Sequence, residues 1–282
     1  MCTVIANYNQ YQEWITEKEG RLPAPLFRGH ERDSYQLLPT ISRGNISRDE
    51  IISLEQNLFK NFKEATIESE LGDILIQSSG NQFLPDWHLA FQMRHLEIPS
   101  RLIDFTFNSD VALYFAVSND KAWEENGHVW YFQSYDQRFN KVNSSFEEIL
   151  NNNFIHTSAG EELQGVLSQH APTHLDQVVL AHSLYDGIDF YRQIGNQRKF
   201  RQRGKFIAMK NEWIKYQMDG TFLSYMLEKV IIKAEAKEDM LNVLNEKGLN
   251  DDYLLPDISE STKKIIDDII LKSRQEANLP IK

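Results

Sequence analysis

The 282-residue chain has one cysteine, Cys2, and a single thiol can build neither a disulfide framework nor a cysteine-ligated zinc site within the chain. Its glycines and prolines number 13 and 8, and no Pro/Gly-rich linker, low-complexity tract or internal repeat divides the sequence. One domain is the simplest reading. Long apolar runs are absent as well: Val178 to Ala181 and Val230 to Ile232 fall far short of the roughly 20 residues a membrane span needs. No charged-then-apolar leader opens the sequence, so the expectation is a cytoplasmic protein with no membrane partner. Positive charge is in deficit, with 30 Lys+Arg against 41 Asp+Glu and a net charge of −11. Such a surface repels a phosphate backbone, which confines any nucleic-acid contact to a local patch.

Familiar catalytic templates are missing too. There is no phosphate-loop lysine motif, no G-x-G-x-x-G and no G-x-S-x-G, so kinase, dehydrogenase and α/β-hydrolase readings lose their usual support. His170 and His174 have helical metal-ligand spacing, but Pro172 lies between them and no Glu follows His170, and no metal is expected.

An apolar content of 41% with 11% aromatic residues is enough to bury a full core. Helical periodicity marks a segment around Tyr11 to Ile15, a second from Asp49 with Ser47 or Asp49 as cap, and a third carrying Trp87, Phe91 and His95 that Pro99 stops. Ser109 or Asp110 can cap a helix carrying Val111, Ala112, Tyr114 and Phe115, Lys237 to Lys247 reads as a helix closed by Gly248, and a last helix begins near Ser261. Strand candidates are Leu26 to Arg28, Ser100 to Thr106, Val129 to Phe132, Val178 to Ala181, Lys205 to Met209 and Val230 to Ala234. The order implies an α+β fold with central mixed or antiparallel sheets and N-terminal and C-terminal helices. Residues 1–25 form a helical lead-in, 26–258 the main domain and 259–282 the closing helix.

Three stretches carry chemistry. Phe27-Arg28-Gly29-His30 joins a cation to a glycine that allows close backbone approach or a positive φ, though an arginine at a strand end also serves structural ion pairs. Arg94 to Thr106 sets arginines, a histidine, carboxylates and hydroxyls among apolar residues, and buried polar groups need partners. Those partners are either internal, with Arg101 to Asp104 and His95 to a carbonyl, or the phosphates and ribose hydroxyls of a ligand. Between Phe190 and Asn211 stand Arg192, Arg198, Lys199, Arg201, Arg203, Lys205 and Lys210 with no acidic residue. This segment can meet a pyrophosphate or a nucleic-acid phosphate, or pair with acidic surface.

Taken in order, Phe27-Arg28-Gly29, Leu38-Pro39-Thr40 with Arg43, His95, Pro99 to Thr106 and Ala112 to Ala116 resemble the FRG-domain family. Asn196, Arg198, Gln202, Gly204 and Phe206 resemble a later element of it, and Gly248-Leu249 with Leu255-Pro256-Asp257 its closing segment, so the likeness runs from Phe27 to Asp257. Arg94 and Glu97 stand where the family usually has Gln and Gly, and Ser100 and Phe105 where it has Thr and Trp. A more distant resemblance is to ADP-ribosyltransferases, through Arg28-Gly29, then Asp104 to Ala116, then Gln202-Arg203-Gly204. It implies NAD as a substrate, with Arg28 as phosphate clamp, Thr106 and His95 as ribose or base contacts, and Gln202 near the reacting ribose. Asp104 is then the alternative acid where that family has a late carboxylate.

The candidate site is therefore Gln202 and Asp104 as catalytic residues, with Arg28, Gly29, His95, Arg101, Thr106 and Arg198 as ligand contacts. Three readings stay open: an NAD-directed transferase or NAD-cleaving protein, a non-catalytic module binding a nucleotide, nucleic acid or protein through segment 192–210, and a structural core in which Arg101 and Asp104 pair.

Overall fold

The computed structural model describes residues 3–18, 25–68, 86–133, 156–157, 179–181, 201–202, 204–209, 211–255 and 258–280. The residues at 22–24, 170, 174, 192, 196, 198, 199, 203, 210, 256 and 257, on which expectations were placed, lie outside them, as do the side chains of Trp87 and Phe91.

The fold is α+β. Its strands are β1 (Thr3–Ile5), β2 (Leu26–His30), β3 (Leu102–Thr106), β4 (Gly127–Phe132), β5 (His156–Thr157), β6 (Val179–Ala181), β7 (Gly204–Ala208) and β8 (Leu227–Ile232). Among the described residues they form one eight-stranded sheet in the order β1-β8-β4-β2-β3-β7-β6-β5, mixed because β1 runs parallel to β8 while the other neighbours are antiparallel. The helices are α1 (Tyr8–Lys18), α2 (Arg48–Glu68), α3 (Asp86–His95), α4 (Ser109–Val117), α5 (Lys237–Glu246), α6 (Asp251–Leu254) and α7 (Glu260–Glu276).

Strand alternation sends Phe27, Val129, Tyr131, Val230 and Ile232 to one face, where α1, α4 and α5 cover them. Leu26, Ile103, Phe105, Trp130, Phe132 and Ile207 form a second core on the opposite face. A third cluster joins α2, α3 and α7 through Leu54, Leu58, Phe62, Met93, Ile266 and Ile269.

Local chemistry sets the helix ends. Ser47 and Glu50 form a reciprocal capping box, Ser47 N to Glu50 Oε2 at 2.7 Å and Glu50 N to Ser47 Oγ at 3.3 Å, so of the two candidates the serine starts α2. α4 is capped one residue earlier than expected, by Asn108, whose Oδ1 accepts from Asp110 N at 3.0 Å and Val111 N at 3.4 Å. α7, expected from near Ser261, starts at Glu260 and is capped by Ser259. Gly248, at φ 80°, closes α5 in a Schellman turn, with Leu249 N donating to Leu244 O at 2.9 Å.

One feature of the sheet positions the site. β2 pairs with β4 over five residues, from Leu26↔Phe132 to His30↔His128, and β3 pairs with β7 over five, from Leu102↔Ala208 to Thr106↔Gly204. Between β2 and β3 the register holds a single pair, Phe27↔Thr106. The sheet is thus two halves joined at one point, and the strands part beyond it.

Candidate functional site: an arginine cleft where the sheet divides

The parting of β2 and β3 opens a cleft of about 450 Å³ lined by Arg28, Arg43, Arg94, His95, Asp104 and Gln202 among others. Arg28 leaves β2 at the gap. Its Nη1 donates to the backbone oxygen of Asp104 at 2.7 Å and lies 3.5 Å from Asp104 Oδ2, while its Nε donates to His30 Nε2 at 2.9 Å. The side chain supplies a donor to a β3 carbonyl that the parted strand does not reach.

Arg94 comes from the last turn of α3, where a cation complements the helix dipole, and its Nη2 bonds Asp104 Oδ2. Its Nε is buried with no hydrogen-bond partner among the described residues. Arg43 follows the 3-10 turn Thr40–Ser42, which Thr40 Oγ1 ties to Ser100 by accepting from Ser100 N at 3.1 Å. Among the described residues the Arg43 guanidinium has no hydrogen bond or ion pair.

Three guanidiniums therefore line the cleft, two of them, Arg28 and Arg94, paired with the Asp104 carboxylate. Burial lowers the Arg28 pKa to about 10, partly countered by Asp104 and deepened by Arg94 and Arg43. Burial pushes the Asp104 carboxyl upward, but the Arg94 and Arg28 charges outweigh it and hold the group below the usual carboxylate value. Asp104 is thus an anion, suited to stabilising positive charge rather than to donating a proton. Glu31 and Glu97 also line the cleft, Glu31 being held by Asn119 Nδ2 at 2.8 Å and by the Tyr35 hydroxyl at 3.2 Å.

Of the residues singled out in sequence, Arg28, Gly29, His95, Asp104, Thr106 and Gln202 line this one cleft. Arg198 lies outside the described residues. The Thr106 hydroxyl is already committed, donating to Gln202 O at 2.5 Å and accepting from Asn108 N at 2.9 Å, so it joins the Gln202 segment to β3. Gln202 Nε2 donates to Leu254 O at 2.9 Å, and among the described residues its Oε1 has no hydrogen bond. The His95 ring stacks edge-on against Phe206, centroids 5.5 Å apart.

Two expectations are corrected. Arg101 does not face a ligand, nor does it pair with Asp104. Its side chain is 1% exposed and is clasped by Glu55 of α2, Nε lying 2.9 Å from Oε2, with Nη1 donating to Met209 O at 3.1 Å and Asn211 Oδ1 at 2.7 Å. Arg101 directly precedes β3, three positions before Asp104, so the two side chains leave the backbone on opposite sides, and α2 offers a carboxylate on the side that Arg101 faces. Gly29 is not at positive φ; a Cβ there would stand 1.8 Å from Ala112 O, so its glycine serves the close packing of α4 on β2.

Arg43, Arg94 and His30 belong to the cleft yet were not among the candidates. Each lay inside a stretch already marked, but only the fold shows which of the many polar side chains converge. Of the basic segment, Arg201 sits 5.1 Å from the Tyr253 ring centroid and Lys205 Nζ 4.5 Å from that of Phe107. No helix among the described residues is long and apolar enough to cross a membrane, and no three His, Cys, Asp or Glu side chains among them are grouped to hold a metal.

Neither the curated proteins nor the solved structures include a match to this chain. Residues 24–125 match the family model of the FRG domain, a span that holds Arg28, Gly29, Arg43, Arg94, His95, Asp104 and Thr106. The chain therefore carries an FRG domain over residues 24–125.

Proposed function

We propose that the arginine cleft binds the phosphates of a nucleotide, and that its ligand is NAD or a related ADP-ribosyl compound. The observation that carries this reading is the gathering of Arg28, Arg43 and Arg94 in one cleft, where Arg28 and Arg94 pair with Asp104 and Arg43 is unpaired among the described residues. A like-charge cluster is stabilised by an added anion, and guanidinium forks match phosphate oxygens bidentately. A cleft of about 450 Å³ is of the size that small-molecule sites have. Phe115 and the Phe206–His95 pair give it flat apolar surface for a base.

Turnover in this reading is cleavage of the nicotinamide–ribose bond, with ADP-ribosyl transfer or hydrolysis as its outcome. Gln202 is neutral and orients; the negative charge that favours an oxocarbenium-like state comes from Asp104, held ionised by its two arginines. Calorimetric titration with NAD, ADP-ribose and inorganic pyrophosphate tests the binding, and chromatographic detection of released nicotinamide tests the turnover. Saturable heat that Arg28→Ala abolishes supports the reading, and absence of heat from folded protein with all three ligands rejects it.

A further inference from the structure

His30 and His128 lie side by side across the β2–β4 pair, opposite each other in register, and both are nearly or fully buried at 6% and 0% exposure. Their ring centroids are 4.8 Å apart and nearly perpendicular. The hydrogen bonds around them fix where the protons are. An arginine Nε carries a proton at any ordinary pH and can only donate. The 2.9 Å contact from Arg28 Nε therefore requires a bare His30 Nε2, which places the proton of His30 on Nδ1. His30 Nδ1 in turn lies 2.9 Å from His128 Nε2, so it donates there, and His128 must be neutral with its own proton on Nδ1. That last nitrogen faces Asp33 Oδ1 at 3.6 Å, too long for a hydrogen bond but within electrostatic reach. Asp33 itself pairs with Lys229 Nζ at 2.9 Å.

We infer that His30 is a positioning residue for Arg28: the Arg28–His30–His128 chain locks both imidazoles in the Nδ1–H form and anchors the guanidinium by its Nε, leaving its outer edge to meet an anion. The rotameric freedom of an arginine is large, and a fork aimed at phosphate loses less on binding when its stem is already tied. Three constraints hold Arg28: Asp104 O, Asp104 Oδ2 and His30 Nε2. His30 is the only one of the three contributed by its own strand, and it sits two residues on along the same sheet face. Burial disfavours a charged His30, as do Arg28, His128 from β4 and Arg43; Tyr35 from the loop favours it more weakly. The chain is thus built to stay neutral.

The inference rests on the proposed anion site for what Arg28 does, but its geometry is testable without any ligand. Long-range proton–nitrogen NMR of imidazole-labelled full-length protein, at about pH 6 to 8, reads each tautomer directly. Both His30 and His128, identified by loss of signal in His30→Gln and His128→Gln, are expected in the neutral Nδ1–H form, the minor tautomer of free histidine. An Nε2–H or protonated His30 overturns the chain whether or not a ligand binds. Pyrophosphate and ADP-ribose titrations supply the second readout. Glutamine can accept from Arg28 through its oxygen and donate to His128 through its nitrogen, so His30→Gln is expected to bind within about threefold of wild type, whereas His30→Leu weakens binding about tenfold or more. Equal binding by the leucine variant, with folding intact by circular dichroism, rejects a positioning role. Loss of binding in wild type rejects the anion site alone and leaves the tautomers to decide the chain.

Discussion

Gly29 lies directly beneath Ala112: a Cβ added at position 29 would stand 1.8 Å from the Ala112 carbonyl oxygen and 2.9 Å from Ala116 N. Both contacts are backbone atoms of α4, so no rotamer change can relieve them. Gly29→Ala is therefore expected to destabilise the fold by about 3 kcal/mol by forcing the helix off the strand. Equilibrium denaturant unfolding reads the loss directly. The Arg28 and Gly29 of the signature thus do different work, one at the cleft and one in the packing behind it.

The Arg101–Glu55 clasp gives a second expectation. Both side chains are nearly inaccessible, at 1% and 6%, so removing one charge leaves the other buried and unpaired. Glu55→Gln is expected to cost about 3 to 5 kcal/mol of stability, whereas anion affinity of the remaining folded protein is unchanged, because neither residue reaches the cleft. Chemical denaturation and titration on the same variant separate the two effects.

Glu97 carries a φ of 64°, in the left-handed region, as the residue that ends α3. Glu97 N donates to Arg94 O at 3.1 Å and Ile98 N to Met93 O at 2.9 Å, the hydrogen bonds of a Schellman turn whose C′ position favours glycine. Glu97→Gly is expected to stabilise the protein by about 1 kcal/mol, read as a rise in melting temperature.

Acid sensitivity follows from the two buried histidines. Burial, followed by Lys229, lowers the His128 pKa from 6.5 to about 4, and burial and Arg28 push His30 well below its usual value. In the unfolded chain both regain ordinary values and bind protons below about pH 6.5, where the folded chain does not. The unfolded state then holds more protons, so stability is full above that pH and falls as pH drops toward about 4. Asp104, whose folded pKa is also lowered, adds a further loss in the carboxylate range. Unfolding free energies measured at about pH 7.5 and 5 are expected to differ, and the His30→Gln, His128→Gln double variant to differ less.

How much of this was legible in the sequence depended on whether a signal was local. Helices with clean periodicity and capping residues, such as α2 and α5, could be read because their hydrogen bonds and apolar faces lie within a few residues. β8 was expected from Val230, yet it begins at Leu227, because Glu228 and Lys229 look unlike strand residues until Lys18 and Asp33 pair with them. β1 was missed since three residues carry no pattern of their own and are held by pairing with β8. In the site, His95, Asp104 and Thr106 stood out as polar residues in apolar surroundings, Arg28 as a cation at a strand end and Gln202 through the family resemblance, and all five share a cleft. Arg101 has the same appearance in sequence; its partner is 46 residues away on α2, a separation no spacing rule covers. Arg43 and Arg94 reach the cleft from different elements, and only the parting of β2 from β3 brings them together.

The most direct test of the anion cleft is calorimetric titration of ADP-ribose and NAD into wild-type protein and into Arg43→Ala. Arg43 has no hydrogen bond or ion pair among the described residues, so its removal is expected to leave the melting temperature unchanged while weakening binding about tenfold. Identical affinity in the two proteins, or no heat from folded wild type, would contradict the account.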